Sequence, residues 1–416
     1  MQAAARSLTS LGISTSDEHD ALDSKRGSLA ANLELSLITD RLAFDTLEDD
    51  WNALFDRAGK PVHVFQSFNF CWHWANHYLQ QQTSKAGARL SIVTGRRNGR
   101  LIMVWPLVSE RAHGITQTFW MGEPASQYGD ALIDTVADAA DVLAAGFKFL
   151  RQEIASDVLR LRRVRDDANV AHLLPEIGAQ IADRQIAPYM DLSSAEDFAS
   201  FEERFSSKSR RNRRRLARRL EEKGPLEFVR LHGGREAGEL AARAIAVKSE
   251  WLKDRGFLSN ALNDPRTPHL FSDLAAGTEK PVPCIVSVLK TNGETAAYEI
   301  SFTCKGRLVV HVMAFALEYE KAGVGVLLLE QNLKKGYDEG LSTYDMMAPG
   351  DPYKLDWCDQ SEPVTDWTVP VSAKGHLYAR VYLGFLRGRL KSALKSVPQP
   401  VRRMLSKGYH AGPTES

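Results

Sequence analysis

One tight turn recurs in this chain, and its surroundings recur with it. Leu90–Thr94 and Leu101–Val108 are β-rich runs on either side of Arg97–Asn98–Gly99–Arg100, and Cys284–Lys290 and Thr295–Thr303 flank Thr291–Asn292–Gly293–Glu294 in the same way. Asn-Gly accepts the positive φ that a primed two-residue turn demands, so each segment predicts a β-hairpin. The order that follows each hairpin is also shared. In the first half the pattern predicts a strand over Ile115–Met121, a loop over Gly122–Asp130, a helix over Asp138–Ile154 and a strand over Val158–Val164. In the second half it predicts a strand over Arg307–Leu317, entered through Lys305–Gly306, and then a loop carrying Gly323 and Gly325. A helix over Val326–Glu339 follows, closed by Gly340 as a left-handed C′ residue, and Ser342–Met346 returns as strand. Residue identity between the halves is slight, so the repeat lies in the element order. The expected fold is α/β (α+β): tandem units, each a mixed, mostly antiparallel sheet flanked by helices.

A length of 416 residues has room for two cores. The expected divisions are a disordered leader (1–31), an N-terminal unit (32–192), a basic helical connector (193–225), a C-terminal unit (226–372) and a basic amphipathic helix with tail (373–416). An aromatic helical stretch in the first unit holds Trp51, Leu54 and Phe55, then Phe65, Phe68, Phe70, Trp72 and Trp74. The leader mixes Ser, Thr, Asp and Lys without an apolar segment, unlike a secretory signal. No run reaches the roughly 18–20 apolar residues of a membrane span. Cys71, Cys284, Cys304 and Cys358 are far apart with no CxxC pair, which fits reduced thiols and a cytoplasmic protein.

Net charge is only +1, but it is unevenly placed. Ser206–Gly224 carries Lys208, Arg210, Arg211, Arg213, Arg214, Arg215, Arg218 and Arg219, with Leu216 and Leu220 as an apolar i, i+4 pair. In descending order, this fits a solvated connector with one packed face, an electrostatic guide for an anionic cofactor or acceptor, and a nucleic-acid surface. A nucleic-acid partner is therefore not the expectation. From His376 to Lys407 there are eight Lys or Arg and no acid, and Leu377, Tyr378, Val381, Tyr382, Phe385 and Leu386 fall at helical spacing. Such a helix suits peripheral contact with an anionic membrane surface, at its cytoplasmic face, or docking back on the domain.

The chemistry-bearing stretch is the strand, loop and helix from Arg307 to Gly340. Free amides and the positive dipole end at a helix start bind phosphate, and glycine lets the backbone come close. Lys321–Ala322–Gly323–Val324–Gly325 has that composition. No GxSxG elbow, Walker A loop or EF-hand pattern is present. His73 and His77 are four apart but lack the HExxH glutamate and a third ligand, so no metal is expected.

Three stretches, SKSRRNRRRLARRLEEKG (207–224), AFALEYEKAGVGVLLL (314–329) and YDMMAPGDPYKLDW (344–357), resemble GNAT acyltransferases of the FemAB-related branch called CelD-like or BioF2-like. The resemblance implies transfer from acetyl-CoA or another acyl-CoA, a co-substrate, to an amine or hydroxyl acceptor such as a glycan or lipid precursor. It implies a cleft between the tandem halves, with the diphosphate on Lys321, Gly323, Val324 and Gly325 and pantetheine along Met313, Ala314 and Phe315. Family members often carry Pro-Gly where this chain has Ala322–Gly323. The link to envelope or exopolysaccharide (cellulose-type) biosynthesis comes from the family name alone. Aminoacyl transfer from charged tRNA, and a non-catalytic scaffold of a polysaccharide synthase, are the competing readings.

Glu299 is the first candidate base, because Tyr298 and Ile300 on either side of it should raise its pKa, with Asp345 and Asp351 as alternatives; an exposed acid on an alternating strand is the bland reading of Glu299. Lys354 is a further catalytic candidate, able to hold an anionic substrate or phosphate as a point charge, with a surface lysine as its bland reading. Tyr128, Asp130, Trp251 and Tyr353 are candidate acceptor contacts, and His311 reads as a packed strand histidine.

Overall fold

The computed structural model describes residues 32–79, 87–112, 114–136, 138–257, 259–278 and 280–381. The expected leader and the tail beyond 381 lie outside the described residues. The first half contains β1 (Leu33–Ile38), α1 (Glu48–Ala58), α2 (Phe68–Tyr78), β2 (Arg89–Leu90), β3 (Ile92–Arg97), β4 (Arg100–Trp105), β5 (Leu107–Ala112) and β6 (Ile115–Trp120). It continues with β7 (Leu132–Ile133), α3 (Ala139–Glu153), β8 (Val158–Arg165) and β9 (Gln180–Asp191). The arginine-rich α4 (Ser207–Glu221) leads into β10 (Leu226–Leu231), α5 (Arg235–Asp254), α6 (Arg266–Ala276), β11 (Cys284–Thr291), β12 (Glu294–Cys304) and β13 (Arg307–Phe315). Then come α7 (Val324–Asp338), β14 (Thr343–Asp345), β15 (Gln360–Pro370) and α8 (Ala373–Tyr378).

Both Asn-Gly turns are primed: Asn98 and Gly99 have φ of 52° and 76°, and Asn292 and Gly293 have 51° and 80°. The run from Leu101 to Val108 is not one strand, because Pro106 divides it. Proline has no N–H to offer a ladder, and the chain changes sheet there. β4 joins a four-stranded antiparallel sheet, β1-β3-β4-β7, whereas β5 joins an eleven-stranded one.

The larger sheet runs β10-β11-β12-β13-β14-β9-β15-β8-β6-β5-β2 and makes the duplication explicit. Its two parallel pairs are β6 with β8 and β13 with β14, each joined by a crossover helix, α3 and α7. The final strand of each half is exchanged. β9, from the first half, pairs with β14, while β15, from the second, pairs with β8. β9 and β15 then pair with each other from Tyr189↔Gln360 to Gln180↔Thr368. The core is shared too: Trp51, Phe55, Phe65, Phe70 and Trp74 of the first half lie in one apolar cluster with Phe271, Ile300 and Phe302 of the second.

α4 packs one face only. Leu220 is buried, and Arg213 is held between Glu202 and Glu330 at 2.7 Å from each, while Arg211, Arg214, Arg215, Arg218 and Arg219 are exposed. α8 docks through Gly375, where a Cβ would lie 1.8 Å from the Asp157 carbonyl oxygen. Among the described residues no helix is long and apolar enough to cross a membrane. The four cysteines are free thiols.

Two boundaries near the expected cofactor loop move. β13 ends at Phe315, Leu317–Ala322 forms a 3-10 turn, and α7 starts at Val324 because the Val326 and Leu327 amides both reach the Gly323 carbonyl. Gly325 is therefore a first-turn helical residue. At the other end Gly340 has φ 68°, its N–H donates to the Tyr337 carbonyl (3.1 Å), and Leu341 N–H donates to that of Gly336 (2.9 Å). This is a Schellman close. Gly340→Ala should cost roughly 1 kcal/mol in urea denaturation, since an L-residue is strained at that φ.

Candidate functional site

β13 pairs with β14 only from Arg307↔Thr343 to Val309↔Asp345. Beyond that point the strands diverge, and Val310–Phe315 keeps β12 on one side with no strand on the other among the described residues. A free edge of amides and carbonyls results. Ile300 faces Val312 while Ser301 faces Val310, so His311 is the extra residue of a β-bulge. Its ring packs among Phe65, Phe271 and Phe302 and donates from Nε2 to the Ala125 carbonyl at 2.6 Å. Burial lowers its pKa to about 4, so it is neutral at physiological pH.

The free edge runs to the start of α7. A Cβ on Gly325 would lie 3.6 Å from Phe315 Cδ1 and 3.9 Å from Met313 Sδ, placing the first turn of α7 over the end of β13. The opening amides of that helix have no intrahelical partners. Gly323 is a different case: it has φ 73°, and a Cβ there would sit 2.7 Å from Leu216 Cδ1 of α4. Its glycine is required by that turn and by a packed leucine. Lys321 is exposed on the 3-10 turn.

The segment after β14 folds back toward this gap. Lys354, 7% exposed, donates to the Met347 carbonyl (2.9 Å) and lies 3.9 Å from Asp351. Burial lowers its pKa to about 8, against the pull of Asp351 and Asp345. Trp251 meets Phe315 edge to face at 6.1 Å, with Lys248 (4.7 Å) and Arg255 (4.0 Å) over its ring. Burial also lowers the Lys248 pKa. Tyr353 stands half-exposed on the same turn as Lys354. Lys248 and Arg255 escaped sequence analysis, although their i, i+3 and i, i+4 spacing around Trp251 was a readable signal.

Asp345 ties the two halves together. Fully buried, it accepts from the Tyr128 hydroxyl (2.9 Å), Arg307 Nη1 (2.9 Å) and the Met347 amide (2.8 Å), with Arg165 at 3.7 Å. Tyr128 is thereby drawn to the end of β14. Asp130, two residues on, faces the other way: it meets His63 at 2.9 Å and accepts from the Ala131, Asn169 and Val170 amides. It anchors its own half and stands outside the gap.

Glu299 is not the exposed acid of an alternating strand. It is fully buried, beside Asn332 of α7, and its Oε2 accepts from the Tyr344 hydroxyl at 2.5 Å. Burial raises its pKa to about 7, while Tyr344, Arg230, Asn332 and Ser301 pull the other way. Arg230 in turn bonds Asn332 (2.8 Å) and Glu339 (2.6 Å), so this polar group clamps α7 to the sheet.

Residues 207–355 match the family model described as an acetyltransferase (GNAT) domain. No curated protein matches the chain. Among solved structures, FemX is similar over 84% of this chain and 99% of its own, with 11% identity and a TM-score of 0.55, a likeness of fold. A tandem GNAT protein from the clavulanic acid biosynthesis pathway aligns over 82% of this chain and 99% of its own (12% identity, TM-score 0.48). The C-terminal domain of a putative lysylphosphatidylglycerol synthetase from Agrobacterium fabrum aligns over 80% and 94% (12% identity, TM-score 0.47). The chain thus has a GNAT acyltransferase-type fold, with the matching domain spanning the free edge of β13, α7 and β14.

Because folded Glu299 holds its proton up to about pH 7, against 4.5 for an ordinary glutamate, its contribution to stability is complete below about 4.5 and is lost as pH rises through 7. Urea denaturation across pH 4.5–7.5 should show this fall, on the order of 3 kcal/mol, and Glu299→Gln should flatten it.

Proposed function

We propose that this chain transfers an acyl group from an acyl-CoA, acetyl-CoA in the simplest case, to an amine or hydroxyl acceptor. The observation that carries the reading is the unpaired edge Val310–Phe315 running directly to the opening turn of α7. An edge of free amides and carbonyls is the complement of pantetheine, whose two amides can add to it as a strand would. The amides of Val324 and Gly325, at the positive end of the α7 dipole, suit the diphosphate. Lys321, exposed nearby, adds positive charge.

In this arrangement the thioester carbonyl lies beside Met313–Phe315, where an edge N–H stabilises the developing oxyanion. The acceptor's lone pair attacks the carbonyl carbon and forms the new C–N or C–O bond. Collapse breaks the C–S bond, and its electron pair leaves on sulfur. Lys354, with a pKa of about 8, is suited to take the acceptor's proton when neutral and return it to the thiolate. Asp351 stands beside that amine, and Trp251, Tyr353 and Tyr128 wall the gap. Asp345, with its lone pairs already engaged, serves to position Tyr128. Glu299 supports α7 from below.

The exposed arginine face of α4 favours one second reading, delivery of an aminoacyl group by charged tRNA. A CelD-like or BioF2-like role in envelope or exopolysaccharide biosynthesis, with contact to an anionic membrane through 376–407, rests on the sequence resemblance and the charge of that segment.

Calorimetry with acetyl-CoA tests the donor: binding is expected, and no binding alongside retention of charged tRNA gives the second reading. Gly325→Asp puts a carboxylate where the helix dipole welcomes it, so thermal stability should hold while acetyl-CoA affinity falls by roughly a hundredfold. Unchanged affinity would place the coenzyme elsewhere. Lys354→Met should lower kcat by at least about a hundredfold with little change in KM, and remove the limb of the pH–rate profile that rises through about 8.

A further inference from the structure

α7 opens between two other elements. On one side its first turn lies over β13, where a Cβ on Gly325 would come 3.6 Å from Phe315 Cδ1 and 3.9 Å from Met313 Sδ. On the other side lies α4, where a Cβ on Gly323 would come 2.7 Å from Leu216 Cδ1. Leu216, Ala217 and Leu220 of α4 pack with Tyr319, Ala322 and Val324 around this opening. A ligand that follows the β13 edge and crosses the start of α7 therefore arrives at α4.

α4 carries one sign of charge on its outward surface. From Ser207 to Arg219 the sequence holds seven arginines, one lysine and no acid. Arg213 is neutralised by Glu202 and Glu330, and Arg214 lies 3.7 Å from Glu202. Arg211, Arg215, Arg218 and Arg219 are exposed, and no carboxylate pairs with them among the described residues. Arg215 donates to Asn212 (2.7 Å) and Arg211 to the Ser207 carbonyl (3.3 Å), both uncharged. Arg211, Arg215 and Arg219 fall at i, i+4 and i+8, one row about 12 Å long. Like charges at that spacing repel and destabilise a helix, and here only an anion from outside the chain relieves them.

The row lies beside the contact with α7. With about 3.6 residues per turn, Arg215 and Arg219 stand on one flank of Leu216 and Ala217 on the other. The charge flanking this contact is thus that of Arg215 and Arg219, with Lys321 exposed on the 3-10 turn. Glu320, the acid before Lys321, is already paired with Arg255. Residues four apart on a helix have Cβ atoms about 5–6 Å from each other, a spacing at which two guanidiniums hold one phosphate.

We propose that Arg215 and Arg219 hold the 3′-phosphate at the nucleotide end of the acyl-CoA, so that α4 forms the outer wall of the donor site. The proposal rests on the acyl-CoA reading and adds the residues that tell the coenzyme from a thioester without that phosphate. With pantetheine along β13 and the diphosphate at the first turn of α7, the nucleotide end is the part of the donor left to reach α4. The place of the row beside the α7 opening, rather than its charge alone, favours the coenzyme over a nucleic acid.

The test is calorimetric titration of the full chain, at low salt, with acetyl-CoA and with its 3′-dephospho form. The wild type should bind acetyl-CoA at least about tenfold more tightly. The double variant Arg215→Gln, Arg219→Gln should lose that preference and bind both donors as the wild type binds the dephospho form. It should melt no lower than the wild type, since like charges are removed from α4. In the wild type itself, added salt should shrink the preference, because exposed charges are screened. Acetyl-CoA bound no more tightly than the dephospho form, a preference that survives both glutamines, or one indifferent to salt overturns the proposal and leaves the acyl-CoA reading standing. Failure of the wild type to bind either donor overturns both. Retention of charged tRNA in that case, lost in the double variant, assigns the α4 row to nucleic acid.

Discussion

The pairing of β9 with β15 is the constraint on which the rest of the structure depends. Each of these strands closes the other half's sheet, and the ladder between them makes one eleven-stranded surface from two related units. Both parallel strand pairs open within that surface. The gap beside β13 is bounded on one side by its own half and on the other by Tyr128 and Ala125 from the first half. Neither wall exists without the exchange.

Charge is handled differently at three depths of the site. Asp345 is fully buried and surrounded by donors from both halves, so it acts as a rivet. Glu299 is equally buried but poorly compensated, and it answers by holding a proton to about pH 7. Lys354 has one carbonyl and a distant carboxylate for company, and its pKa falls to about 8. Groups that titrate near neutrality occur where burial exceeds pairing. That imbalance lies close to the free edge, whereas the well-paired Asp130 lies away from it.

What the sequence made legible is what is local. The Asn-Gly turns, the Gly340 close and the crossover helices follow from residues within one or two turns of each other. β9 and β15 left no such trace. They contain Pro188 and Pro363, with Asp183, Arg184, Glu362 and Asp366 among them, so neither shows the apolar alternation of a strand. Partners far away in sequence hold them. The site divides in the same way. The end of β13 and the start of α7 were readable to within two residues. The upward pKa shift of Glu299 was expected from Tyr298 and Ile300 beside it, but its polar partners were not legible, because Tyr344, Asn332 and Arg230 come from three other elements. Nor could spacing show that Asp130 turns away while Tyr128 turns in. Gly323 looked like a phosphate approach, yet its near neighbour is Leu216 of α4.

The exchange of last strands has an evolutionary corollary. An ancestral single unit must have completed its sheet with its own final strand. Once two copies had traded those strands and merged their aromatic interiors, either one alone would expose the open flanks left by its missing neighbour and the phenyl and indole surface that Phe271 and Phe302 now cover. Neither half can therefore be removed without baring those strand edges and rings.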